Sequence, residues 1–164
     1  MLLTAPARRR AAVAVAVAVA GIGTAGVLRW VEGDTTPYGL QDSPAVRVEV
    51  RAENSRYPDT RETAEDVSEL VRVYVQRLLA GDADRLAEVG APWFTGREAR
   101  ARASIRKYGE AAGGPVRAVV REPVVPCLAQ VELRFDGGAR QVVELTRDDG
   151  IWWVAMGDGD PMKP

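Results

Sequence analysis

Ala11 to Leu28 (AAVAVAVAVAGIGTAGVL) is an uncharged run of 18 residues set directly behind Arg8, Arg9 and Arg10. A run of this kind divides the chain into a targeting part and a folding part. As a helix it would extend ~27 Å, close to the ~30 Å of a hydrocarbon core. Trp30 would stand at the far interface, and the arginine cluster would stay on the cytoplasmic side. We therefore read 1–10 as a cytoplasmic basic segment and 11–30 as a transmembrane signal anchor. Everything later is then outside, in a single-pass protein of the cell membrane. Two alternatives stand beside this reading. Ala18-Val19-Ala20 before Gly21 has the small-x-small form of a cleavage site, which would make the protein secreted, and the run could also be a buried core helix.

The remaining length allows one domain. Of the 164 residues none is histidine and one is cysteine, which excludes Ser-His-Asp and Cys-His catalysis, imidazole metal sites, an internal disulfide and multi-cysteine metal sites. No cofactor and no metal are expected. Beyond residue 30 there are 18 basic against 23 acidic residues, a net of −5. An acidic body lacks the basic footprint that neutralises phosphates, so nucleic acid is not an expected partner.

Residues 31–62 are rich in acids, Ser, Thr, Arg and Pro and read as an extracytoplasmic linker. Inside it Val46, Val48 and Val50 alternate with charged residues, which predicts a short strand over 45–51. Thr63 and Asp66 form a capping signal for the best-patterned helix, with Val67, Leu70, Val71, Tyr74, Val75, Leu78 and Leu79 at three-and-four spacing. Gly81 ends it. Asp82 caps a short second helix holding Leu86 and Val89, and a basic third helix runs over 96–108, with Trp93 and Phe94 sealing the layer.

From Pro115 the period changes to two. Strands are expected near 116–121, 124–135, 139–147 and 151–156, with turns at Asp136-Gly137-Gly138 and Asp148-Asp149-Gly150. Three helices followed by about four antiparallel strands define an α+β layer fold over 63–157, with a flexible tail over 158–164.

The leading helix ending in Leu-Leu-Ala-Gly-Asp-Ala-Asp (78–84), the closing Asp-Asp-Gly-Ile-Trp-Trp-Val (148–154) and the order of elements resemble the NTF2-like superfamily. The likeness is to its membrane-anchored extracytoplasmic members in high-GC Gram-positive bacteria. It implies a curved sheet wrapped around a long helix as a cone, and a range of roles from isomerases and dehydratases to non-catalytic binding modules. The motifs are structural, so they speak to fold and not to chemistry.

Within that frame Tyr74, Tyr108, Cys127 and Trp152 are expected to line the cone. Cys127 shares the apolar parity of Ala129 and Val131 and reads as a small core residue. Trp152 and Trp153 are adjacent in a strand and must point to opposite faces, which leaves Trp153 for a linker strand to cover or for a partner interface. The acids of the strands, Glu122, Glu132 and Glu144, fall on polar parity. An isomerase-like site would need a converging acid, so the expected role is a non-catalytic domain for protein binding or assembly at the cell surface. Its partners would be the cytoplasmic membrane and a protein or second copy through the sheet. A small-ligand carrier or isomerase-like enzyme using the cone is the alternative.

Overall fold

A computed structural model of the chain describes residues 36–54 and 56–162. The basic segment, the anchor and the start of the linker lie outside the described residues. Among the described residues no helix is long and apolar enough to cross a membrane.

Pro58 opens the first helix, α1 (Pro58–Asp66), where its fixed φ is already helical and its missing N–H would have had no partner. The helical layer thus begins inside the stretch read as linker, and Thr63 is a buried helical residue, not a cap. The Val67 N–H reaches Thr63 O (2.9 Å) and the Val71 N–H reaches Val67 O (3.0 Å), which carries the ladder on into α2 (Ser68–Ala80). Gly81, at φ 72°, closes α2 in the left-handed conformation. Asp82 caps α3 (Ala83–Ala87) by accepting the Arg85 N–H at 3.0 Å, and α4 (Arg97–Tyr108) follows.

The strands are β1 (Val48–Ala52), β2 (Val116–Val125), β3 (Leu128–Phe135), β4 (Arg140–Asp148) and β5 (Ile151–Val154), ordered β1-β2-β3-β4-β5. β2 to β5 form the expected antiparallel meander. Its last turn is the two-residue Asp149-Gly150, whose φ of 45° and 83° match the right-handed twist of the flanking strands. β1 pairs with β2 in parallel, from Val48 on Val116 to Ala52 on Val120. Among the described residues, the expectation of an all-antiparallel sheet of about four strands is therefore corrected to a curled mixed half-barrel of five, carrying four α-helices in place of three. Parallel pairing needs a long crossover between the two strands, and α1 to α4 supply it.

Ala129, Val131, Leu133 and Phe135 of β3 turn inward with Val116, Ala118 and Val120 of β2 and Val143 and Leu145 of β4. They meet Leu70, Val71 and Tyr74 of α2. The interior is filled: the residual void between these side chains is about 10 Å³, no more than one water would need.

α2 is buried on more than its apolar stripe. Val73, Gln76 and Arg77 are also covered. The Gln76 side chain accepts the Gln41 N–H (2.8 Å) and donates to Gln41 O (2.7 Å) and Pro44 O (2.8 Å). Ahead of Gln41, the Tyr38 hydroxyl donates to Trp152 O and its ring meets Trp153 edge-on at 5.8 Å. Residues 36–47 are thus a strap from the β5 edge, across α2, to the β1 edge. On the α3 side, Arg77 donates to Arg85 O and reaches Glu88 at 3.3 Å.

The tail makes contacts of its own. Thr95 and Asp158 exchange backbone bonds of 3.0 and 2.9 Å, the Trp93 indole donates to Asp160 O (3.3 Å), and Thr146 Oγ1 donates to Pro161 O. Gly157 permits this at φ 105°, since a Cβ there would lie 2.0 Å from Thr95 O. Residues 158–161 of the segment read as a tail thus bond to Trp93, Thr95 and Thr146.

Candidate functional site

Arg100, Ala103, Ser104, Lys107 and Tyr108 recur at three-and-four spacing and form one stripe of α4. Facing them are Gln141 to Glu144 of β4 and Val154 to Met156 at the end of β5. Between the two banks lies an open cleft of about 490 Å³ with Tyr74 on its floor. Side chains of a strand alternate in direction, so four consecutive residues can share one cleft only if the edge of the strand faces it.

The floor is a small hydrogen-bonded cluster. Gln141 Nε2 donates to the Tyr74 hydroxyl at 2.6 Å, while Gln141 Oε1 is buried with no partner in the structure. Burial pushes the Tyr74 phenol upward against the opposing hydrogen bonds from Ser104 and Gln141, so it is neutral at physiological pH. Tyr108 stacks on Phe135 at 5.5 Å and carries Lys107 5.1 Å above its ring. The cleft therefore presents phenol, hydroxyl and amide groups beside two cations. Its carboxylate, Glu144, has outward parity and accepts from Gln130 at 3.4 Å. This set of groups is suited to hold a ligand by hydrogen bonds and positive charge.

A second polar cluster lies on the outer face of the sheet. Glu132 is buried beneath Arg134 (3.2 and 3.1 Å), Arg121 and Arg140 (3.5 Å). Hydrogen bonds from Arg134 and then Arg121 hold its carboxyl down at about 2, against a usual 4.5. A folded-state value below the unfolded one gives stability that is present above pH 4.5 and is lost as pH falls toward 2. The guanidinium groups are 39 to 69% exposed, so water screens the cluster and its contribution to stability is small. Urea unfolding of Glu132→Gln should accordingly show a shallower loss of stability between pH 4.5 and 2 than the natural chain; parallel curves would remove Glu132 as the cause.

Of the residues expected to line the cone, Tyr74 and Tyr108 meet in the cleft. Trp152 is buried in the core, as expected, but outside the cleft, under the Arg147 guanidinium at 5.6 Å and with its indole N–H unpartnered. Cys127 does not line the interior: with Pro126 it makes the two-residue turn between β2 and β3, half-exposed, its sulfur 3.6 Å from Met162 Sδ. Its carbonyl still accepts the Arg147 N–H of β4 at 2.8 Å, but at the turn its side chain stays half-exposed and does not join Ala129 in the core. Trp153 lies on the face opposite Trp152, as the strand geometry requires, and is half-covered by Tyr38 of the strap and not by the valines of β1. Arg100, Ser104 and Gln141 complete the site. Arg100 was legible in the sequence as one of five cations of the basic third helix, a face read as solvated in preference to a contact for anionic lipid or an acidic partner, and Ser104 and Gln141 were not singled out. A glutamine sharing the inward parity of Val143 and Leu145 was the available signal. Among the described residues no three carboxylate or thiol side chains converge as metal ligands would. No family model, curated protein or solved structure matches the chain.

Proposed function

We propose that this chain is a non-catalytic, membrane-tethered extracytoplasmic domain of the NTF2-like kind that binds a protein partner through the cleft between α4 and the β4 edge. The observation that carries the reading is the pairing of a filled half-barrel with a wide cleft at its mouth. A void of about 10 Å³ offers no room to a small ligand inside, whereas about 490 Å³ at the mouth opens onto backbone, tyrosine and cationic groups. A neutral phenol held by an amide and a hydroxyl serves recognition better than proton transfer. The tether rests on the arginine cluster and the uncharged run that follows it.

The test is site-specific photocrosslinking in intact cells. A benzophenone side chain in place of Val142, which is 58% exposed at the cleft, should give a discrete protein adduct in carbonate-washed membranes. The same group in place of Arg61, exposed on α1, should not. Equal adducts from both sites, or none from Val142, would sink the binding site, and release of a fragment starting at Gly21 would sink the tether.

A further inference from the structure

The β4 edge carries more information than the cleft volume. The Ala155 N–H donates to Glu144 O at 2.8 Å, so the backbone of Glu144 points away from β3 toward the β5 side. Backbone direction repeats every second residue, so the N–H and C=O of Val142 point the same way. There the partner strand has ended. β4 pairs with β5 only from Leu145 to Asp148, and after Met156 the chain turns off to bridge Thr95. Val142 therefore directs an unpaired donor and acceptor into the cleft, flanked by Arg140. Native sheets cover or blunt such edges, and here the edge is neither covered nor interrupted by proline.

From this we infer that an extended acidic peptide adds to β4 as a further antiparallel strand, continuing the line of β5 through the cleft. The inference rests on the binding reading above and names the chemistry of its partner. The peptide backbone would exchange two hydrogen bonds with Val142. Alternate side chains would turn inward toward Arg100 and Lys107 of α4, and the cations there select carboxylates. An unsatisfied Gln141 Oε1 on the same wall accepts a donor from the incoming strand. A second copy paired edge to edge through β4 would set Arg100, Lys107 and Arg140 against their own counterparts, which disfavours it in the same place.

The probe is a fluorescein-labelled peptide of alternating glutamate and valine, titrated against the full-length chain in detergent by anisotropy. It should bind about 10-fold more tightly than its lysine counterpart at low salt, and N-methylation of the amides along one edge should weaken it by about 10-fold, the size expected for two lost backbone bonds. Val142→Pro should do the same, since it removes an N–H that takes no part in the β3 ladder. Arg100→Glu with Lys107→Glu should abolish the preference for acid. Hydrogen exchange should slow at residues 141–144 on binding.

Equal binding of the N-methylated peptide would overturn strand addition even if Val142→Pro fails to fold. Equal binding of the lysine peptide would overturn the acidic partner. A dimer in sedimentation that Val142→Pro abolishes would assign the edge to a second copy instead. Failure of every peptide while the Val142 photocrosslink still forms would overturn this inference and leave the binding reading standing; failure of both would remove both.

Discussion

Trp152→Ala should lower the stability of the domain by ~3–5 kcal/mol in urea unfolding, the range for deleting a buried aromatic side chain. Trp152 is 5% exposed, packs beneath Arg147, and takes the Tyr38 hydroxyl on its carbonyl. Trp153→Ala should cost only ~1–2 kcal/mol, because the ring is half-buried and its main aromatic partner is Tyr38 at 5.8 Å. Trp152→Phe separates packing from polarity. The indole N–H is buried and unpartnered, so phenylalanine removes an unsatisfied donor and should recover most of the loss. Equal losses for Trp152→Ala and Trp153→Ala would mean that the closing strand has been assigned the wrong inner face.

The same strand shows what periodicity can and cannot reveal. Alternation placed Trp152, Val154, Ala129, Val131, Leu133 and Phe135 correctly, because a half-buried strand admits two faces and composition selects one. It failed at Cys127, where Pro126 starts a turn while the apolar alternation runs on unbroken, so the letters on either side look like one strand. Three-and-four spacing found the sheet-facing stripe of α2 but not Gln76 or Arg77. Those faces are buried by the strap and by α3, neither of which local pattern can bring to the helix. Val48 and Val50 announced a strand, yet their parallel pairing to β2 is a property of topology and not of their neighbours. Glu132 read as a wet residue by parity, and it does point outward. Arg121, Arg134 and Arg140 then roof it over, a cross-strand arrangement that becomes visible only once the register is known. One wall of the cleft was legible through Tyr74, Tyr108 and the basic third helix, whereas the other depends on where β5 stops.

Leu70→Ala should destabilise by ~2–5 kcal/mol, and Val131→Ala by a smaller amount in the same direction. Leu70 is 1% exposed and Val131 is fully buried, and both border the void of about 10 Å³ in the filled interior. The cost has two parts: apolar surface returned to water, and a cavity that the surroundings close only partly. Collapse is restricted here because Leu70 sits on a helix held from outside by the strap and from below by the sheet, so neither wall can move inward without breaking hydrogen bonds. The larger side chain leaves the larger cavity, which orders the two losses. Loss of the strap changes this prediction in a measurable way. With Tyr38→Ala and Gln76→Ala in place, α2 is freer to settle toward the sheet, and the further cost of Leu70→Ala should shrink below its value in the natural chain. Strict additivity of the three substitutions would show that the strap does not restrain the helix, and an unchanged urea midpoint for Leu70→Ala alone would show that α2 does not fill the half-barrel.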